Sequence, residues 1–277
     1  VDLDTSKKII GFVEKHENVF ASVGMHPDFF SKTEKEFSIF NFQFSNNSKI
    51  TKLINELRKL AKNKKVVAIG ETGLDYFSHT GEIITDAQKE NQKKGFLAQI
   101  ELAQGLNLPV IVHCRENADS ADWGGKKKRI GAWEDLFDII SKFLRFDLKN
   151  QKFVLHCYSG EKKDTEKFLK LPNAYFSFSG NITYPKPADR AEKLAEAVRM
   201  ISLDRIMLDS DSPFLAPQAM RGKRNEPMFV RYIAEKIAEI KEISVEDVEK
   251  KTDENAEKFF GLNTNTTNRN TNTTKYI

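Results

Sequence analysis

Four residues in this 277-residue chain have the types and positions to hold a divalent cation: Glu71, His113, His156 and Asp211. Each follows a short, nearly continuous apolar run. Val66–Gly70 precedes Glu71, Pro109–Val112 precedes His113, Phe153–Leu155 precedes His156, and Arg205–Leu208 precedes Asp209-Ser210-Asp211. Such runs are expected of strands buried on both faces of a parallel sheet. The carboxyl ends of these strands are where barrel enzymes carry their reactive groups. Two imidazoles with two carboxylates suit a hard or borderline ion such as Zn, Mn, Co or Mg. Taken singly, each residue is ordinary, since a strand-end His commonly satisfies a backbone carbonyl and Glu71 alone could be a surface acid. Together, at four strand ends, they point to a metal site. Cys114 and Cys157 follow the two histidines, and strand alternation turns both toward the helices as small buried thiols rather than ligands.

The elements that position these groups are legible from periodicity. Val19–Gly24 and Ala174–Ser179 add two more strands, making six in all. Helical stripes lie between and after them: Trp133, Leu136, Phe137, Ile140 and Leu144; Leu194, Val198 and Ile201; and Val230, Ile233, Ile237 and Ile240. Asn225 is expected to cap the last of these, with Pro227 in its first turn. Strands alternating with helices over more than 200 residues imply an α/β fold, a barrel or a doubly wound sheet. Ser31–Ser48 and Ala118–Arg129 read as loop insertions, the second ending in the basic run Lys126–Arg129. From Asn263 the Asn/Thr-rich sequence predicts a disordered tail over 263–277.

Composition narrows the class further. A hydrophobic content of 39% excludes a wholly disordered chain, and a net charge of +4 is too small to establish a nucleic-acid partner. No apolar run approaches the roughly 18 residues of a membrane span, so no membrane association is expected. Two cysteines cannot staple a secreted mini-fold. The chain opens at Val1 without a signal peptide, and a cytoplasmic monomer is the expectation.

Ordered motifs sharpen the reading. The chain contains Gly24-Met25-His26-Pro27, Gly70-Glu71-Thr72-Gly73-Leu74-Asp75-Tyr76, Leu108-Pro109-Val110-Ile111-Val112-His113-Cys114-Arg115 and Leu155-His156-Cys157-Tyr158-Ser159-Gly160. Ser177-Phe178-Ser179-Gly180, Asp211-Ser212-Pro213-Phe214-Leu215-Ala216-Pro217 and Arg221-Gly222-Lys223-Arg224-Asn225-Glu226-Pro227 follow. In this order and spacing they resemble the TatD family of metal-dependent deoxyribonucleases across residues 1–262. The resemblance implies a (β/α)8 TIM barrel of the amidohydrolase type as a single domain over 1–262. It also implies two divalent ions (Mg, Zn or Mn). Glu71 is then a metal ligand bridging them, His113 and His156 ligate through their imidazoles, and Asp211 ligates or orients the attacking water. Glu71 and Asp211 are the catalytic pair.

Two departures stand out. The family's first strand carries a His-x-His pair, and none of His16, His26, His79, His113 and His156 lies two residues from another. Val1–Ser6 resembles the end of the family's second strand and the turn after it. The first strand, its helix and most of the second strand are therefore expected to precede Val1. The family's Glu-Thr-Asp is here Asp209-Ser210-Asp211, which shortens the first carboxylate by one methylene.

His26, Arg115, Arg221 and Arg224 are candidate substrate-binding residues. Arg115 is expected to grip a phosphate or pair with a rim carboxylate, and His26 to contact a phosphate or make a structural hydrogen bond. Arg221, Lys223 and Arg224 are expected to line a path for a polyanion, Arg224 equally to brace its loop. Asp75 is expected to close a turn or support a ligand histidine, while His16, on a helix, and His79 carry no functional case. The leading function is hydrolysis of DNA phosphodiester bonds by a metal-activated water, as a 3′–5′ exonuclease. The alternatives are an amidohydrolase-like enzyme acting on an amide or ester, such as an aminoacyl-tRNA ester, and a non-catalytic barrel that binds nucleic acid.

Overall fold

The computed structural model describes residues 1–31, 49–77, 84–116, 131–145 and 150–262. The chain forms two compact units, Val1–Phe153 and Val154–Ile277. In the first, α1 (Leu3–Val13) opens with a reciprocal cap. Asp2 Oδ1 accepts the Thr5 N–H and Thr5 Oγ1 accepts the Asp2 N–H, both at 2.8 Å. Then come β1 (Ala21–Val23), α2 (Pro27–Ser31), α3 (Lys49–Leu60), β2 (Val66–Asp75), α4 (Asp86–Leu106), β3 (Val110–Arg115) and α5 (Ala132–Arg145). β2 pairs in parallel with both β1 and β3. Val23, Ala68, Ile69, Val110 and Val112 are fully buried, as strands with two covered faces must be. The chain leaves this unit along β4 (Phe153–Leu155), with Val110 N–H donating to the Lys152 carbonyl at 3.0 Å.

The β2–β3 ladder contains the irregularity that matters most. Ile69 faces Val110 and Thr72 faces Val112, so Gly70 and Glu71 together oppose Ile111. One extra residue in a strand forms a bulge, which bends the strand and re-aims its side chains. Beyond it, Gly73 (φ +142°) meets His113 so closely that a Cβ there would lie 2.0 Å from the His113 carbonyl oxygen. Only glycine fits.

Two buried glutamines on α4 lock this strand region in place. Gln99 Oε1 accepts the Met25 N–H at 2.7 Å, while its Nε2 donates to the Met25 carbonyl at 3.0 Å and to Thr72 Oγ1 at 2.6 Å. Gln92 grips Asp75 in the same way, accepting its N–H at 2.7 Å and donating to its carbonyl at 2.8 Å. Each amide side chain thus extends the sheet's hydrogen bonding at a residue beside or within the candidate site.

The second unit holds the end of β4, α6 (Lys162–Leu169), β5 (Ala174–Phe178), a 3-10 turn at Gly180–Thr183, α7 (Ala188–Met200), β6 (Ile206–Leu208), α8 (Val230–Lys241) and α9 (Val245–Phe260). β5 and β6 are parallel, with Phe176 opposite Ile206 and Phe178 opposite Leu208. Phe168, Phe176, Val198, Ile206, Ile233 and Ile237 form its core.

All six expected strands and all three apolar helical stripes are present. Five details differ from the sequence reading. Leu3–Ser6, expected within a strand end and the turn after it, forms the first turn of α1. β2 does not stop before Glu71 but runs through it to Asp75, because the bulge absorbs the glycine that reads as a strand end. Asn225 is not a helix cap: α8 is preceded by a 3-10 turn at Pro227–Phe229, and the Asn225 amide instead donates to the carbonyls of Ser210 and Phe214. Cys114 is buried as expected, but Cys157 is half-buried and lies past the end of β4 with φ +46°, where strand alternation no longer governs it. His16 follows α1 rather than lying on a helix, its ring against Phe12. Ser31 closes α2, and the rest of the insertion expected over Ser31–Ser48, the one over Ala118–Arg129, His79 and the tail from Asn263 lie outside the described residues.

Candidate metal centre

In the first unit the bulge of β2 carries Glu71 to His113 on β3. Glu71 Oε1 lies 2.7 Å from His113 Nδ1. The ring of His26, just past β1, meets the His113 ring edge-on at 4.6 Å. One ligating atom each from His26, Glu71 and His113 lie within 4.8 Å of one another. Metal bonds of about 2.1 Å place donor pairs up to about 4.2 Å apart on one ion, so a modest side-chain closure brings all three into reach.

Asp75 backs this cluster from within the protein. Its side chain has no exposure, and its Oδ2 lies 3.3 Å from His113 Nε2. That approach is off-axis for a hydrogen bond, and Nε2 is buried without one. Asp75 Oδ1 also accepts the Phe77 N–H at 3.0 Å, closing the expected turn. Burial raises the Asp75 pKa, but His113 and Arg115 outweigh it and hold the carboxyl below its ordinary value. For His113, burial works against the proton. The carboxylates of Asp75 and Glu71 overcome it and push the imidazole up to about 9. Two imidazoles and a carboxylate, one nitrogen lacking a hydrogen bond, form a donor set that fits a divalent ion.

Arg115 takes neither of its expected roles as stated: it pairs with a carboxylate, but with the fully buried Asp75 and not with one on the rim. Its Nε and Nη2 donate to Asp75 Oδ1 and Oδ2 at 3.1 and 2.8 Å, and its guanidinium stacks on Phe77 at 4.4 Å. This fork-to-fork pairing uses the geometry that a phosphate would otherwise take.

In the second unit His156 stands between two carboxylates. Its Nδ1 pairs with Asp209 Oδ2, and its Nε2 lies 3.5 Å from Asp211 Oδ1. Asp209 is buried. Burial alone would raise its pKa, but the charge and hydrogen bonding of His156, with bonds from Ser177 Oγ at 3.0 Å and the Asp211 N–H at 2.9 Å, keep it depressed. Asp211 takes a left-handed backbone, φ +53°, uncommon for a residue with a side chain and concentrated at functional sites. Burial pushes the neighbouring Cys157 thiol up to about 12, so it stays protonated. Arg221 stacks on Tyr184 at 4.3 Å, and Arg224 is exposed with no ion pair among the described residues.

Sequence reading therefore named Glu71, His113, His156 and Asp211, and the structure brings Glu71 to His113 and His156 to Asp211. It set His26 apart as a substrate contact, whereas His26 stands beside Glu71 and His113. Only its place in a motif after a strand hinted at this. The part of Asp209 in holding His156 was not anticipated; a carboxylate two residues before Asp211 was the available signal.

The family model described as TatD related DNase matches residues 1–261. The chain belongs to this family. This TatD-family chain is 33% identical over 263 residues to the uncharacterized metal-dependent hydrolase YabD of Bacillus subtilis, covering 95% of the chain and 85% of that relative. It is 30% identical over 262 residues to a protein of Erwinia amylovora named 3′-5′ ssDNA/RNA exonuclease TatD, covering 93% and 84%. A solved TatD homologue from Escherichia coli K12, YjjV, superposes with a TM-score of 0.71 at 23% identity, covering 95% of this chain and 84% of that one. A TatD-family hydrolase from Entamoeba histolytica gives 0.65 at 23% identity, covering 93% and 81%. The fold class is thus the TatD-type α/β barrel, and the protein is a metal-dependent hydrolase. No helix among the described residues is long and apolar enough to cross a membrane.

Proposed function

We propose that this hydrolase cleaves phosphodiester bonds of single-stranded nucleic acid, DNA in particular, releasing nucleotides from the 3′ end. The observation that carries this reading is the cluster of His26, Glu71 and His113 around the β2 bulge, with a buried His113 nitrogen that has no hydrogen bond. Its support beyond the site is membership of a DNase family that includes a relative named as a 3′-5′ exonuclease.

In this reading Glu71 and His113, with His26 as a further donor, would hold metal in the first unit, and His156 and Asp211 would offer donors in the second. Two divalent ions, Mg, Zn or Mn, are the expected complement. Bound ions of this kind lower the pKa of water and neutralise charge on phosphoryl oxygens. The chain's own residues do the rest. Asp209 pairs with Nδ1 of His156 and fixes that imidazole, while Asp75 sets a buried negative charge beside His113. The Asp211 carboxylate orients the attacking water and receives its proton at Oδ. Arg221 and Arg224 supply positive charge for the phosphates of the strand, and Arg115, committed to Asp75, does not.

Oligonucleotides labelled at the 5′ or the 3′ end test the direction of attack. A 5′ label that shortens stepwise, with the 3′ label released at once as a mononucleotide, is expected. Stepwise shortening of the 3′ label with immediate release of the 5′ label would contradict it.

A further inference from the structure

Among the described residues, Phe214 is the large apolar side chain most open to solvent, at 70% exposure. It lies in the loop after β6, three residues beyond Asp211. Its backbone is firmly held. The Phe214 N–H donates to the Asp211 carbonyl at 2.9 Å, and the Phe214 carbonyl accepts from Nδ2 of Asn225. Asn225 is buried, its Nδ2 also bonds the Ser210 carbonyl at 2.6 Å, and its N–H donates to the Pro213 carbonyl at 3.2 Å. Leu215 follows with φ +51°, a left-handed turn. The ring thus stands in water on a backbone held at both its N–H and its carbonyl.

The surroundings indicate what covers it. The same loop returns through Arg221, Lys223 and Arg224, all exposed, and after Asp211 its one acidic side chain is Glu226. Asn225, which clamps Phe214, directly follows Arg224. A flat apolar face on the loop that carries Asp211, followed later in the same loop by three exposed cations, Arg221 among them stacked on Tyr184, matches a nucleobase linked to phosphodiesters: the base stacks on the ring and the phosphates meet the charges.

We propose that Phe214 is a stacking platform for the base of the terminal nucleotide of a single-stranded nucleic acid, with Arg221, Lys223 and Arg224 meeting its backbone. The assignment rests on the nuclease reading above.

The test is equilibrium binding, in chelator so that no cleavage occurs, of an oligonucleotide ending in 3′-terminal 2-aminopurine, whose fluorescence falls on stacking. Wild-type protein is expected to bind and quench it. Phe214→Ala should lose the quench and bind on the order of tenfold more weakly, and Phe214→Trp should restore both. An oligonucleotide with an abasic 3′ terminus should not distinguish wild type from Phe214→Ala. Binding and quenching unaffected by Phe214→Ala would overturn the stacking assignment and leave the nuclease reading standing. A wild-type protein that neither binds nor cleaves any oligonucleotide would overturn both.

Discussion

Asp209 pairs with Nδ1 of His156 and so leaves Nε2 as the nitrogen that faces Asp211. The other oxygen of Asp209 accepts the Asp211 N–H at 2.9 Å, so one buried carboxylate sets the ring of one proposed ligand and the backbone of the other. Partners that orient ligating histidines typically contribute 10–100-fold in metal affinity. Asp209→Ala is therefore expected to weaken Mn2+ binding by about that factor in calorimetric titration. Asp209→Glu, which restores the family pattern, should retain most of it. Equal affinity in Asp209→Ala and wild type would remove the positioning role.

As a proposed ligand, His113 should make metal binding pH-dependent. Its folded-state pKa is raised to about 9 from an ordinary 6.5. In the metal-free protein the protonated ring stabilises the fold fully below pH 6.5, and that contribution is lost as pH rises through about 9. Ligation requires the neutral ring. Apparent Mn2+ affinity should thus climb about tenfold per pH unit from pH 7 toward 9, tracking the loss of one proton. An affinity unchanged between pH 7 and 8 would show that His113 is not a ligand.

Gln99 spans the interior between α4 and the residue before His26. Gln99→Leu preserves bulk but leaves the Met25 N–H and carbonyl without their partners. Two buried backbone groups left unsatisfied cost about 2–6 kcal/mol, and the midpoint of urea unfolding should fall accordingly. A midpoint within error of wild type would mean that water or a shifted strand satisfies both groups.

Much of this was legible in the chain. Val66–Gly70 and Phe153–Leu155 declare buried strands because nearly every side chain in them is apolar, and the carboxylates and imidazoles after them stand out against that background. What was hidden depends on distance in sequence or on backbone sign. The bulge at Gly70 and Glu71 exists only relative to Ile111 on the neighbouring strand. Arg115 meets its carboxylate across forty residues, at Asp75. Asn225 looks like a cap before a proline, and its true partners, the carbonyls of Ser210 and Phe214, belong to a loop whose path no local pattern encodes. The left-handed backbones of Cys157 and Asp211 are likewise set by the fold around them, not by residue type.

The central claim is that Glu71 and its partners make phosphodiester hydrolysis depend on a divalent ion. The most direct measurement is the rate of single-stranded DNA cleavage by metal-stripped protein as Mn2+ is added back, for wild type, Glu71→Ala and His156→Ala, each checked by circular dichroism. No cleavage is expected without metal, with recovery on titration for wild type alone and two folded but inactive variants. Full activity in chelator, or a wild-type rate in either variant, would contradict it.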